Sequence, residues 1–285
     1  MAVGARARNE APNTWTEEIT MSELCYFTAS DGARLAYCLD GAAGKPVLVL
    51  SNSIGTTLGM WDAEVPALAE RFRVLRYDTR GHGASSVPAG PYALERLGRD
   101  VTELLDLLGL QRVHFLGLSL GGIIGQWLGI HAPERIDRLI LSNTSSYLGP
   151  AGQWDERIEA VLRAEDMTET AETFLRNWFP AHLLAAGEPL VERFRAMLLA
   201  TNRHGLAGAY ATVRDTDLRE EIERISRPTL VIAGQFDTVT VASHGELIAA
   251  TIPGAQWLAL PAVHLSNIEF PLEFLAAVIE FLEAR

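Results

Sequence analysis

An apolar strand that leads directly into a glycine-flanked serine constrains this chain more than any other feature. Residues 113–122 are Val-His-Phe-Leu-Gly-Leu-Ser-Leu-Gly-Gly, and a helix-like segment follows them. A sharp strand-to-helix turn holds its central serine in a strained backbone conformation that presents the hydroxyl. Crowding excludes side chains two residues to either side, and Gly117 and Gly121 meet that demand. The pentapeptide is common by itself, but its flanking strand and helix predict a nucleophile elbow centred on Ser119.

Length and composition indicate a globular enzyme and exclude several classes of partner. The 285 residues are enough for one large α/β domain with a modest insertion, and 48% of them are hydrophobic against 21% charged. A formal net charge of -12 argues against a nucleic-acid or anionic-membrane surface. Cys25 and Cys38 are too few for a disulfide framework and lack metal-ligand spacing. We therefore expect free thiols and a cytoplasmic protein.

Short apolar runs alternate with amphipathic segments along most of the chain. This alternation is typical of a mostly parallel sheet flanked by helices. The Ser-Asp-Gly turn at 30–32 predicts an antiparallel hairpin between the first two strands. The segment 113–130 is too rich in glycine and polar residues to be a membrane span. Strands are predicted at 24–28, 34–39, 46–50, 73–78, 113–117, 138–141, 229–234 and 256–260, with helices at 93–108 and 271–282.

The strand pattern stops after the sixth strand and resumes at residue 229. We predict a flexible tail over 1–20, a core formed by 21–142 and 218–285, and a helical cap, or lid, over 143–217. An insertion at this point leaves from the carboxyl edge of the sheet, where ligands bind in open parallel sheets. It would therefore cover the site. Helices are predicted within it at 156–163, 171–178, 191–201 and 204–215.

Asp237 is the predicted partner acid. Chains with this elbow place the acid and then a histidine downstream of the serine. The buried strand at 229–234 leads through Gln235 and Phe236 into Asp237. The competing carboxylates, Asp215 and Asp217, do not directly follow a strand. The position that corresponds to Asp237 at the end of the preceding strand is Asn143, whose side chain cannot carry a negative charge.

His264 is the predicted general base. It lies between the last strand and the final helix, where the chain can bring an imidazole to the elbow, and imidazole is the side chain suited to proton transfer at neutral pH. The other histidines lie in strands, helices, the cap or a glycine loop: His82, His114, His131, His182, His204 and His244.

Two backbone amides are predicted to stabilise an oxyanion. One belongs to Leu120, the residue after the nucleophile, and the other to Ile54 in the loop after the strand at 46–50. A further string, Asp78-Thr-Arg80-Gly-His-Gly, lacks the lysine and helix of a phosphate loop. We interpret it as a structural turn in which Asp78 and Arg80 bind each other or nearby backbone.

With these motifs placed, the chain resembles the α/β-hydrolase superfamily and, within it, the 3-oxoadipate enol-lactonases. Four strings carry the likeness: Ser-Asn-Ser-Ile-Gly-Thr at 51–56, Arg-Tyr-Asp-Thr-Arg-Gly-His-Gly at 76–83, Gly-Leu-Ser-Leu-Gly-Gly at 117–122 and His-Leu-Ser-Asn-Ile-Glu at 264–269. The first and last are the more selective. The resemblance implies an α/β-hydrolase fold with a helical lid, no cofactor, and cleavage of an enol-lactone with a carboxymethyl arm in bacterial aromatic-acid catabolism.

The cap departs from that family at the positions expected to contact substrate. Asn-Trp-Phe stands at 177–179 where the family often has Arg-Trp-Phe, and the loop after Asp237 lacks a proline-rich turn. An anionic lactone needs a local cation in a protein of this charge, so Arg163 or Arg176 is the expected partner. Trp154 and Trp178 are the expected aromatic contacts.

Other activities of the same scaffold remain open at this point. A carboxylesterase or a lactonase of different substrate would use the same residues. Carbon-carbon bond hydrolases typically follow the histidine with tryptophan, whereas this chain has Leu265. Dehalogenases require an aspartate in place of Ser119. A ligand receptor of the same fold would bind the small molecule without turning it over.

Overall fold

The computed structural model describes residues 23–284, so the predicted tail at 1–20 lies outside the described residues. Within them, eight strands form one sheet. The strands are β1 (Cys25–Thr28), β2 (Arg34–Asp40), β3 (Val47–Ser51), β4 (Arg73–Tyr77), β5 (Val113–Leu118), β6 (Ile136–Ser142), β7 (Thr229–Gly234) and β8 (Gln256–Leu260).

The sheet is antiparallel at one edge and parallel elsewhere. Its order is β1-β2-β4-β3-β5-β6-β7-β8, with β2 antiparallel to both β1 and β4. Every other neighbouring pair is parallel. The predicted hairpin and mostly parallel sheet are therefore confirmed, and each predicted strand lies within two residues of an observed one. The carboxyl ends of β3, β5, β6, β7 and β8 meet at one rim.

Side chains of successive strand residues pack into two separate hydrophobic cores, one on each face of the sheet. In β3, Leu48 and Leu50 join one core and Val49 joins the other, and all three side chains are buried. This alternation follows from the two-residue period of a strand. Because both faces are covered, the central strands β3, β5 and β7 are almost completely buried and mostly apolar, which is why the sequence showed them clearly.

Eleven α-helices accompany the strands in the described part of the chain. Those outside the insertion are α1 (Val65–Ala69), α2 (Leu94–Leu107), α3 (Leu120–His131), α9 (Ala242–Thr251), α10 (Ser266–Glu269) and α11 (Pro271–Glu283). Between β6 and β7 lie α4 (Ala151–Arg163), α5 (Thr168–Trp178), α6 (Ala181–Ala186), α7 (Pro189–Ala200) and α8 (Arg203–Asp215), which we call the cap. Short 3-10 turns occur at Leu58–Trp61, Pro133–Arg135 and Ile222–Arg224.

The cap is fixed to the rest of the fold by a backbone bridge and by threonine hydroxyls that donate to backbone carbonyls. Tyr147 and Asp217 form a bridge where the chain leaves and re-enters the sheet layer. On α8, Thr212 donates a hydrogen bond of 2.7 Å to the carbonyl of Tyr92. Thr201 donates one of 3.2 Å to the carbonyl of Gly55. These contacts hold the cap over the carboxyl rim.

Four of the five cap helices were predicted, and α6 was missed. Its six residues are too few to display a helical period. The start of α4 was placed five residues late because its first turn is mostly exposed. Both cysteines are free thiols, with Cys38 buried and Cys25 half-buried. No helix among residues 23–284 is long and apolar enough to cross a membrane.

Candidate active site

Ser119 occupies a strained turn between β5 and α3. Its backbone angles are φ 57° and ψ -115°, a conformation that residues other than glycine rarely adopt. A Cβ atom at Gly117 would lie 2.1 Å from the carbonyl oxygen of Gly121, and one at Gly121 would lie 2.2 Å from that of Ser51. The turn therefore requires both glycines, as the sequence predicted.

Neighbouring polar groups hold this turn in place. The Ser119 N–H donates to the carbonyl of Ser142 over 3.0 Å, and its carbonyl accepts from the hydroxyl of Thr144 over 2.7 Å. Both partners lie at the end of β6 or just after it. The strain is thus balanced by bonds from the adjacent strand.

Asp237 and His264 form a buried hydrogen-bonded pair. The distance from His264 Nδ1 to Asp237 Oδ2 is 2.8 Å, and the two residues are 1% and 4% exposed. Asp237 Oδ1 accepts the backbone N–H groups of Val239 and Thr240. The Thr240 hydroxyl donates to Oδ2 over 2.7 Å. The carboxylate is thereby held in a single orientation against the imidazole.

The environment of Asp237 keeps it ionised. Burial would raise the pKa of this carboxyl, but the charge and hydrogen bond of His264 oppose it. Hydrogen bonds from Thr240 and Val239 act in the same direction, and together they lower the pKa to about 2. Asp237 is therefore an anion across the ordinary pH range, and it can stabilise the positive imidazole that forms when His264 takes a proton.

Asn143 cannot serve as the acid, but its side-chain amide has a role in the site that the sequence did not indicate. It has φ 43°, and its Nδ2 lies 3.2 Å from Asp237 Oδ2 and 3.2 Å from the carbonyl of Val263. The Ser142 hydroxyl donates to its Oδ1 over 2.9 Å. Asn143 lacks a charge of its own, yet it donates to the carboxylate and ties it to the loop that carries His264.

Ile54 and Leu120 line the same cavity as Ser119. The Gly121 N–H donates to the carbonyl of Asn52 over 3.0 Å, which draws the loop after β3 to the start of α3. The side chain of Asn52 is fixed by the carbonyl of Tyr77 and the indole of Trp61. Neither the Ile54 nor the Leu120 N–H donates a hydrogen bond to any residue that the structure describes. Unused amides at these places are what an oxyanion hole requires.

These groups converge on one cavity beneath the cap. Ser119, Leu120, Ile54 and His264 line its floor. The volume of the cavity is about 30 Å³, which is enough for roughly two water molecules. Cap aromatics form the roof: Trp154, Phe174, Trp178 and Tyr210. In this structure the site is closed, and its walls are mostly apolar.

Two of the four predicted substrate contacts line the cavity, and two do not. Trp154 and Trp178 are part of the roof. Arg163 has a side chain 77% exposed and paired with Glu159, and Arg176 is exposed beside Thr173. Neither of these arginines is among the residues that line the cavity. At 3.6 residues per turn, Arg163 lies about 180° around α4 from Trp154, and Arg176 lies about 200° from Trp178 on α5.

Arg157 is the arginine that lines the cavity. It follows Trp154 by three residues on the same face of α4, and its guanidinium carbon lies 4.7 Å from the centre of the Trp154 indole. It makes no ion pair within residues 23–284. Helical spacing from Trp154 was the signal in the sequence that would have selected it.

The Asp78-to-Gly83 string forms a structural turn, as predicted. Asp78 accepts the backbone N–H groups of Leu58 and Ala84 at 2.6 and 2.8 Å. Arg80 binds Asp100 through two bonds of 2.6 Å, and it does not pair with Asp78. Apart from His264, no histidine lines the cavity in the described part of the chain. No group of three or more metal-ligating side chains occurs there either.

Comparison with known proteins agrees with this geometry. The family defined by the alpha/beta hydrolase fold matches residues 46–271. The 3-oxoadipate enol-lactonase 2 of Acinetobacter baylyi is 40% identical over 251 residues, which cover 88% of this chain and 93% of that protein. A putative carbamate hydrolase, RutD of Pseudomonas savastanoi, is 30% identical and covers 85% of this chain and 96% of its own.

Two solved structures are close to this one. A hydrolase from Pseudomonas aeruginosa PA01 is 71% identical, with a TM-score of 0.91 over 92% of this chain and 98% of that chain. The enol-lactonase from Burkholderia xenovorans LB400 is 38% identical, with a TM-score of 0.88 over 91% and 100%. The sheet order, the serine turn and these likenesses lead to one assignment: the chain belongs to the α/β-hydrolase family and is a hydrolase.

Proposed function

We propose that this hydrolase opens a small carboxylated enol-lactone, 3-oxoadipate enol-lactone, to give 3-oxoadipate. The observation that carries the proposal is the convergence of Ser119, the His264–Asp237 pair and two unused amides on one cavity. The 40% identity to an enol-lactonase supports the choice of substrate. The reaction would belong to bacterial aromatic-acid catabolism, and two free thiols fit the reducing cytoplasm.

The proposed mechanism has two stages. His264 takes the proton of the Ser119 hydroxyl as the oxygen attacks the lactone carbonyl, and Asp237 stabilises the imidazolium. The amides of Ile54 and Leu120 bind the oxyanion that forms. The ring C–O bond then breaks, and the enol oxygen takes the proton from His264.

Water completes the cycle. His264 takes a proton from a water molecule, which attacks the acyl-enzyme carbonyl. The second tetrahedral species collapses, and the Ser119 oxygen leaves with the proton. The released enol converts to the ketone without further help from the protein. The Ser119 proton has left on the product and a proton from water has replaced it, so Ser119 and His264 end the cycle in their starting protonation states.

The cap supplies the proposed selectivity for an anionic ligand. A mostly apolar cavity with four aromatic side chains from the cap favours a small flat ring, and Arg157 is the cation at its wall. A carboxymethyl arm directed to that guanidinium would place the opposite end of the lactone at Ser119. An unpaired arginine in a protein of net charge -12 gives the anion a local partner.

Carbamate hydrolysis is the second candidate, because the same residues act on any activated acyl group and a putative carbamate hydrolase is 30% identical. A substrate panel separates the two. Purified protein is offered the enol-lactone, a saturated lactone of the same size, p-nitrophenyl acetate and carbamate. We expect kcat/KM for the enol-lactone to exceed that for each of the others by at least about a hundredfold. Faster turnover of carbamate, or binding of the lactone without turnover, would overturn the proposal.

A further inference from the structure

A buried carboxyl group lies outside the catalytic cavity and joins two of the loops that build it. Glu64 follows the 3-10 turn in the segment that runs from Ile54 to α1. Asn267 lies in α10, three residues after His264. Both side chains are fully buried, and Asn267 Nδ2 donates to Glu64 Oε1 over 3.0 Å. The contact spans 203 residues of sequence.

One oxygen of each side chain is left without a partner among the described residues. Glu64 Oε2 and Asn267 Oδ1 are both buried and accept no hydrogen bond from the residues described. The adjacent hydroxyl of Ser266 is likewise unpartnered, so it does not supply the missing donor. Two acceptors on side chains that already share one bond cannot both be satisfied without a further proton. Rotating the Asn267 side-chain amide by half a turn changes only which oxygen is left without a hydrogen-bond donor.

We propose that Glu64 is a protonated, uncharged acid that forms a two-bond ring with Asn267 and acts as a positioning residue for the His264 loop. The Glu64 hydroxyl donates to Asn267 Oδ1, while the amide donates back to Oε1. One proton thereby satisfies both buried acceptors. The ring ties the segment that carries the Ile54 amide to the segment that carries the imidazole.

The charges around Glu64 agree with a neutral group. Asp62, on the same segment, disfavours ionisation, and Arg193 of α7 favours it. Arg193 is paired with Asp62 at 2.5 Å, so the negative charge of Asp62 offsets the effect of Arg193 on Glu64. The carboxylate of Glu269 on α10 accepts the backbone N–H of Val263. The pKa of Glu64 is raised to about 8, and burial is the largest cause of this shift.

Ionisation of Glu64 would break the ring. A carboxylate offers Asn267 Oδ1 no proton, so one bond becomes a contact between two acceptors. The buried negative charge would then have a single side-chain donor. We expect the His264 loop to separate from the Ile54 loop in that state, and turnover to fall as the pH rises through about 8.

The test compares Glu64→Gln with the wild-type protein. Glutamine keeps both bonds at every pH, because its amide donates to Asn267 Oδ1 without a titrating proton. Glu64→Ala removes the ring altogether. Glu70→Gln, which changes an exposed carboxylate just after α1, is the matched control. Stability is measured by urea unfolding, which needs no substrate, and turnover by hydrolysis of p-nitrophenyl acetate.

The direction in which the stability of wild type changes with pH is fixed by the pKa of Glu64. An ordinary glutamate ionises near pH 4.5 when unfolded, whereas folded Glu64 ionises near 8. Wild type therefore loses stability between those values, and Glu64→Gln does not. The ratio of folding constants, Glu64→Gln over wild type, should rise by about tenfold per pH unit in this interval and then level off. Infrared difference spectra should show a protonated carboxyl band in wild type that Glu64→Gln lacks.

The turnover arm rests on the proposed function. At pH 9 about nine-tenths of Glu64 is ionised for a pKa of about 8, so wild type should lose about tenfold in kcat relative to Glu64→Gln. Glu64→Ala should be slow at every pH, and Glu70→Gln should follow wild type. Parallel stability profiles for wild type and Glu64→Gln would overturn the neutral pair. A stability difference without a turnover difference would overturn the positioning role, whereas absence of turnover in every protein would count against the proposed function alone.

Discussion

Replacing Asp237 by asparagine is the change whose consequence the structure specifies most fully. Asp237 Oδ1 accepts two backbone N–H groups, so an asparagine keeps its oxygen there and places its NH₂ where Oδ2 was. That NH₂ then faces His264 Nδ1, which lies 2.8 Å from Oδ2 in the native protein. The imidazole can only accept at Nδ1. Its proton moves to Nε2, and the nitrogen intended for Ser119 can no longer act as a base.

The expected cost is large for catalysis and moderate for stability. The wrong tautomer should lower kcat by about 10⁴-fold, or about 5 kcal/mol of transition-state stabilisation. A pKa lowered from 3.8 to about 2 corresponds to about 2 kcal/mol of stability from ionised Asp237. Because the folded pKa is depressed, that stability is present above pH 3.8 and is lost as the pH falls through about 2.

The assay is single-turnover and steady-state hydrolysis of the enol-lactone near neutral pH, with urea unfolding to confirm the fold. Asp215→Asn and Asp217→Asn are matched controls, because both carboxylates are exposed and paired with arginines outside the cavity. We expect both controls to stay within about twofold of wild type. Activity of Asp237→Asn within about tenfold of wild type would refute the assignment of Asp237 as the orienting acid.

Three further outcomes follow from the geometry. Gly121→Ala places a Cβ atom 2.2 Å from the carbonyl oxygen of Ser51, so urea unfolding should show a loss of at least about 2 kcal/mol and hydrolysis should fall with it. Arg157→Gln should raise KM for the anionic lactone by about tenfold and leave p-nitrophenyl acetate unaffected, whereas Arg163→Gln should change neither. Acid unfolding of wild type should show a loss of stability below pH 3.8 that Asp237→Asn lacks.

The sheet and the reacting groups were predictable because each has a local signature. Strands buried on both faces are short apolar runs, and the elbow needs glycines at fixed places around Ser119. Asp237 and His264 follow strands whose carboxyl ends share one rim, so their meeting could be inferred from order alone. The cap was harder, because α6 is too short to show a period and α4 begins with exposed residues.

The residues whose roles the sequence did not indicate depend on contacts that the sequence does not display. Arg157 differs from Arg163 only in which face of α4 it occupies, and a sequence does not state which face meets the cavity until one contact residue is known. Asn143 donates to Asp237 across 94 residues. In the sequence, Glu64 cannot be distinguished from a surface glutamate. Only its complete burial against Asn267, which the structure shows, disfavours its ionisation.

The measurement that tests the central claim most directly is the identification of the acylated residue. Turnover of the enol-lactone is quenched with acid, and the protein is digested and analysed by mass spectrometry. We predict an adduct of the intact substrate mass on the Ser119 side chain in wild type. Ser119→Ala should keep the fold, carry no adduct and hydrolyse no lactone. An adduct on another residue, or near-normal turnover by Ser119→Ala, would contradict the account.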